Sequence, residues 1–179
     1  MELTPTQERF VLHWGEMGTR WGINRTVAQV HALLFVTPQP LDADQIAGTL
    51  GVSRSNVSTS LRDLQGWGIV RPVSVLGERK DHFETLGDVW EMFQIILDER
   101  KRREIDPTLA LLRELTGELD AMPKKQREAE AYTRDRLRDL LGLLDTCSTW
   151  YTQIRHLPQG AIVRFVKMGN KVGKLLGVA

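Results

Sequence analysis

Between Ser53 and Arg62 the chain gathers short hydroxyl and amide side chains around two guanidinium groups: Ser53, Arg54, Ser55, Asn56, Ser58, Thr59 and Arg62. Asn pairs with adenine edges, Arg with guanine edges, and Ser or Thr with bases or phosphates, so this set is suited to a DNA major groove. A helix from about Arg54 to Gln65 would orient them, because Val57, Leu61 and Leu64 recur at i, i+4 and i+7 as an inward stripe, with the small Ser60 beside them. At about 100° per residue, Ser55, Thr59 and Arg62 then face outward, flanked by Asn56 and Ser58. A helix that merely met solvent would show more Glu and Lys on that side. Farther along, Arg79 and Lys80 put two positive charges at the tip of an expected hairpin, within reach of a phosphate or a minor groove.

Other chemistries find little support. There is no P-loop, no dinucleotide-binding glycine pattern after a strand, no His-Glu-x-x-His and no nucleophile-elbow serine. His13, His31, His82 and His156 are scattered, with no partner at metal-ligand spacing, so each is expected to be a packed or surface histidine. The sequence is read as that of a protein that is not an enzyme and holds no metal or cofactor.

The elements that must hold the polar helix are legible around it. Asp42 caps a short helix, with Gln45 placed to bond back to it, and Ile46, Ala47 and Leu50 line its apolar side. Gly51 ends that helix, Val52 tucks inward and Ser53 caps the next one. After Gly66-Trp67-Gly68 the pattern turns extended. Ile69–Val75 and Asp81–Thr85 read as two strands of a hairpin, with Pro72 restricting the first to an edge or a bulge. A helix-turn-helix followed by a β-hairpin is the layout of a winged DNA-reading head, here expected over residues 41–87.

The residues carrying this layout resemble a known group. The run Ser53-Arg54-Ser55-Asn56-Val57-Ser58, then Leu61, Leu64, Trp67-Gly68 and Gly77-Glu78-Arg79-Lys80, is similar to the GbsR-type branch of the MarR-like winged helix-turn-helix transcriptional regulators. The N-terminal pattern Phe10, Gly15, Gly18, Trp21-Gly22 resembles the same branch, and the likeness spans roughly Thr6 to Leu115. It implies a mainly α-helical, dimeric bacterial or archaeal repressor whose affinity for a double-stranded operator is set by a small molecule. Some members of the branch respond to choline or related osmolyte precursors. That encourages a reading of Phe10, Trp14 and Trp21 as part of an aromatic site for a cationic effector, since a quaternary ammonium is attracted to ring faces. The competing reading makes them core and dimer-packing aromatics.

Residues 1–40 are expected to form N-terminal helices serving core, dimer or effector binding. The first starts at Thr4-Pro5 and carries Gly15, Gly18 and Gly22 along one line, where another helix or a ligand would approach closely. The second runs from about Arg25 to Val36. Residues 88–179 are expected to form a helical dimerisation region: a helix over Asp88–Arg103, another from Asp106-Pro107 to Met122-Pro123, and a long one over Lys124–His156. A heptad seam of Leu137, Leu140, Leu144, Cys147, Tyr151 and Ile154 marks the long helix. A basic amphipathic tail helix follows Pro158, with Arg164, Lys167, Lys171 and Lys174 on one side.

The 179 residues carry a formal net charge of +1, so nucleic-acid affinity must come from local arrangement. From Gly51 to His82 five cations face three acids, 5 − 3 = +2, a bias better matched to a dimer doubling its contacts than to a lone monomer. The single Cys147 excludes an internal disulfide and is expected to be a small buried apolar residue. No targeting segment and no membrane span is read, and a cytoplasmic location is expected. The rival functional class is a winged-helix protein-interaction module that never touches DNA, which would present an apolar patch where the polar helix stands.

Overall fold

The structure, a computed structural model, describes residues 1–168, so the expected tail positions from Lys171 onward lie outside the described residues. The chain divides into two compact units, Met1–Ile96 and Leu97–Ala179.

In the first unit, α1 (Pro5–Arg20) opens with Thr4, whose hydroxyl accepts from the Gln7 amide while the Gln7 side chain accepts from the Thr4 amide. This reciprocal box satisfies two of the donors that every helix start leaves open. α2 (Arg25–Val36), capped by Asn24, is the central helix of the unit. Val30 and Leu33 are fully buried, and α1 packs along one of its sides while the polar helix described below packs along another. The glycines of α1 explain the close α1–α2 approach. A Cβ on Gly18 would sit 2.4 Å from Ala28 Cβ, and one on Gly15 2.6 Å from Gln29 Cγ. The neighbour that glycine admits is therefore a helix. Gly22 does not share that line: it follows the end of α1, with φ of 75°.

Leu41–Asp42 forms a short strand, β1, and α3 (Ala43–Leu50) begins at once behind it. Asp42 Oδ1 accepts from the amides of Asp44 and Gln45, and Gln45 Oε1 accepts from the Asp42 amide, the expected capping box. Gly51, at φ 65° and ψ 31°, ends α3 in the left-handed region that glycine adopts without steric cost. α4 (Arg54–Gly66) follows, with Val57, Ser60, Leu61 and Leu64 buried as the spacing predicts. The chain then forms the wing, β2 (Val70–Val73) and β3 (His82–Thr85), paired antiparallel with Pro72 opposite Phe83. Pro72 is tolerated because β2 is an edge strand of the β1-β3-β2 sheet. The third strand is not anticipated by the sequence. Leu41 pairs with Phe83 and Asp42 with His82, so β3 is the middle strand and the wing is tied to the start of α3. One core joins Val11, Val30, Leu33, Ile46, Val57, Leu61, Leu64 and Ile69, and Met92 of α5 (Val89–Arg100) closes it.

In the second unit a π-helical turn, Lys101–Ile105, continues α5 into α6 (Asp106–Ala121) without the expected break. α6 buries Leu109, Leu112, Thr116 and Leu119. Thr116 rather than Leu115 takes the inward position, its hydroxyl donating to Leu112 O at 2.7 Å, which removes the cost of burying it. α7 (Lys124–Ala129) and α8 (Ala131–Arg155) replace the single long helix expected there, and α8 packs on α6. The seam also differs in detail. Leu137, Leu141, Leu144, Ser148, Tyr151 and Ile154 are half-buried, whereas Leu140 and Cys147 are exposed. Leu140 and Cys147 each precede an inward residue by one step of about 100°, which carries them round the helix toward solvent. Cys147 is therefore not the buried apolar residue expected of it. Tyr151 Oη donates to Asp98 Oδ1 at 2.8 Å and Arg155 Nε to Asp98 Oδ2 at 2.7 Å, fastening α8 near its C-terminal end. Burial, reinforced by Asp98, pushes the Tyr151 phenol up to about 12. α9 (Gln159–Lys167) follows.

Candidate nucleic-acid interface

α4 owes its orientation to its buried stripe. With Val57, Ser60, Leu61 and Leu64 held in the core, Ser55, Asn56, Thr59 and Arg62 are all exposed and Ser58 is half-buried. Ser60 is small enough for α2 to pack against that side of α4. Ser53 Oγ accepts from the Asn56 amide at 3.3 Å and lies 3.0 Å from Ser55 Oγ. Arg62 Nη2 donates to Thr59 Oγ1 at 3.3 Å, so the guanidinium lies along the outer face of the helix. The outer face is a continuous array of donors and acceptors with no large apolar side chain among them.

The wing supplies the charges, but not as the tip pattern alone implies. Arg79 is exposed and, like Arg62, makes no ion pair among the described residues. Lys80 instead turns back: its Nζ is 2.8 Å from Asp44 Oδ2 and 3.6 Å from Asp42 Oδ2. Arg54, at the start of α4, reaches the same residue, its Nε 2.6 Å from Asp44 Oδ1. The structure thus brings Arg54 and Lys80 together through an acid that sequence reasoning passed over. Asp44 stands in the first turn of α3, where an acid is ordinarily explained by the helix dipole, and its long-range partner leaves no trace in local spacing. The hydrogen bond from Lys80, followed by the charge of Arg54, holds the Asp44 carboxyl below the usual range, and the same bond raises the Lys80 ammonium. For Asp42, burial pushes the carboxyl up, but the Gln45 and Asp44 amides and Lys80 outweigh it and the net shift is downward. A second acid missed at first sight is Glu84, which faces Arg71 across the β2–β3 ladder with its Oε1 2.6 Å from Nη2. Arg71 therefore adds little to the positive bias of the head.

The three aromatic candidates, Phe10 and Trp14 of α1 and Trp21 just after it, also meet. Phe10 stacks on Trp14 with ring centroids 5.5 Å apart, and Trp21 stands perpendicular to Trp14 at 5.8 Å. From α2, Phe35 lies 6.0 Å from Phe10 and His31 lies 6.5 Å from Trp14. The i, i+4 position of His31 and Phe35 on α2 was a signal for these two additions. Trp21 and Phe35 keep exposed faces, while His31 is 4 % exposed and its Nε2 has no hydrogen-bond partner among the described residues. Burial lowers His31 to about 4, so the imidazole is neutral at physiological pH. His82 is also buried, with Nδ1 3.0 Å from Lys80 O. Among the described residues no cluster of His, Cys, Asp or Glu is arranged to hold a metal ion, and no helix is long and apolar enough to cross a membrane.

Comparison with known proteins agrees with this geometry. The MarR family model matches residues 21–80, which run from the end of α1 through α2, α3, α4 and into the wing. The HTH-type transcriptional repressor GbsR of Bacillus subtilis (strain 168) is 21% identical over 155 residues, covering 84% of this chain and 85% of that protein. The HTH-type regulator YvaV of the same organism is 21% identical over 141 residues, covering 78% of this chain and 80% of its own length. A crystal structure of a transcriptional regulator shares the fold with a TM-score of 0.56 at 22% identity, covering 84% of this chain and 96% of that one. Residues 21–80 thus form a winged helix-turn-helix that matches the MarR family model, and over most of its length the chain is similar to the GbsR and YvaV transcriptional regulators.

Proposed function

We propose that the chain is a sequence-specific transcriptional regulator of the cytoplasm that binds a double-stranded operator as a homodimer, acts as a repressor, and changes its DNA affinity on binding a small molecule. The observation that carries this reading is the outer face of α4, where Ser55, Asn56, Thr59 and Arg62 are exposed together. In the major groove Asn56 and Arg62 read base edges, and Ser53, Ser55, Ser58 and Thr59 take bases or phosphates. Arg54, Arg79 and Lys80 meet the backbone on either side. A protein-docking head would bury apolar surface at this place, and α4 offers none.

The homodimer is supported by α8. Tyr132, Leu143 and Trp150 are 80%, 60% and 51% exposed. Their spacing of i, i+11 and i+18 aligns them on one side of the helix, with the exposed Leu140 and Cys147 nearby. A stripe of that kind needs a covering surface, and a second copy supplies it symmetrically. The effector is proposed for the Phe10, Trp14 and Trp21 cluster, whose perpendicular tryptophans would form two walls for a cationic group.

Binding to DNA from upstream of the gene, titrated at two salt concentrations with competitor present, tests the reading. The expected result is tight binding that survives competitor, protects two half-sites and weakens with salt. Equally weak binding to every duplex, with and without quaternary ammonium compounds, would replace it with the docking module.

A further inference from the structure

Arg54 opens the DNA-facing helix and Lys80 ends the wing tip, yet both are seated on one carboxylate. Asp44 Oδ1 takes Arg54 Nε at 2.6 Å and Asp44 Oδ2 takes Lys80 Nζ at 2.8 Å. Two oxygens of one anionic group, each held by a cation from a different element, form the contact pattern that the two non-bridging oxygens of a phosphodiester would make with the same cations. We infer that Asp44 occupies, in the free head, the place of a DNA backbone phosphate, so that binding exchanges carboxylate for phosphate and Asp44 acts as an internal competitor lowering the affinity for every duplex. This inference rests on the DNA-binding reading above.

The geometry favours exchange over a fixed clamp. The side chains of Arg54, Lys80 and Asp44 are 64%, 54% and 46% exposed, so both pairs lie in water, where such contacts are weak and readily replaced. Asp42 Oδ2 lies 3.6 Å from Lys80 Nζ and would keep Lys80 near its place when Asp44 lets go. Asp42 itself is fixed by the Asp44 and Gln45 amides and does not leave. Asp44 belongs to the first turn of α3 and supplies only its own amide to that cap, so Asp44→Asn keeps the cap hydrogen bonds.

The experiment compares the full chain with Asp44→Asn, each titrated against the upstream operator duplex and a scrambled duplex between 50 and 200 mM salt. Asp44→Asn is expected to bind both duplexes more tightly, about tenfold at the low-salt end. Its logarithmic salt slope should stay close to that of the wild type, because in both complexes the same two cations end on the backbone. In an Arg54→Ala, Lys80→Ala background the same substitution should have almost no effect. Weaker binding by an Asp44→Asn protein of unchanged Tm would make Asp44 a positioning clamp and overturn the inference, as would an equal gain in the double-alanine background, which is a bulk charge effect. Wild-type protein that binds while Asp44→Asn gains nothing overturns the inference alone. Wild-type protein that binds neither duplex removes the DNA reading and the inference together.

Discussion

Among the described residues Arg62 has no acid to hold it, only the Thr59 hydroxyl one turn back, so its guanidinium is positioned without being neutralised there. On the proposed function, Arg62→Ala should cost about 1–3 kcal/mol on the operator and much less on unrelated DNA, measured as paired Kd values. An equal loss on both would make Arg62 a phosphate contact rather than a base reader. His31 makes a prediction of a different kind. Burial takes it from its ordinary 6.5 to about 4, so between those values the unfolded chain binds more proton than the folded one. Its contribution to stability is complete above pH 6.5 and is lost as the pH falls toward 4, a change on the order of 3 kcal/mol. His31→Gln should remove that portion of the acid sensitivity. The urea midpoints of wild type and variant, compared at pH 7.5 and 5.0, should converge or cross at the lower pH, and parallel behaviour would refute the assignment.

At the scale of elements, the α1–α2 contact depends on the missing side chain of Gly18. Gly18→Ala sets a methyl 2.4 Å from Ala28 Cβ, a collision with a group that has no rotamer to change, and should cost about 1–3 kcal/mol through forced separation of the two helices. Gly15→Ala meets the flexible Gln29 side chain instead and should cost less; thermal unfolding of the two variants ranks them. The helices of the head were legible because each carries both a stripe and a cap, as Asp42 with Gln45 and Ser53 ahead of Val57, Leu61 and Leu64 show. The outward face of α4 followed by subtraction. What escaped the sequence was long-range or marginal. β1 has only two residues, too few for a period, and Asp42 already had a sufficient explanation as a cap. The hold of Asp44 on Lys80 exists only once the wing folds over α3. Which seam residues of α8 meet α6 was not legible, because Leu140 and Cys147 are apolar at acceptable spacings yet exposed in the single chain, while the inward Ser148 gives no hydrophobic signal.

For the whole molecule, the proposed dimer makes DNA binding a matter of two heads, since each carries few uncompensated cations once Arg54, Lys80 and Arg71 are counted with their acids. Leu143→Glu, in the middle of the exposed α8 stripe, should shift sedimentation from dimer to monomer. It should also weaken operator binding by at least tenfold while leaving the far-ultraviolet circular dichroism unchanged. A variant that stays dimeric would move the interface to another surface.

Asp42 is at once the last residue of β1 and the N-cap of α3, with no linker between strand and helix. One residue therefore serves both elements, and an opening that swings Asp42 away from His82 is expected to draw its carboxylate off the Asp44 and Gln45 amides and away from Lys80. In hydrogen–deuterium exchange the amides of Asp44 and Gln45 should then trade their protons at the same rate as the Leu41–Asp42 and His82–Phe83 ladder, and Asp42→Ala should accelerate both sets together. Wing and helix start would thus breathe as a single unit, hinged on one aspartate.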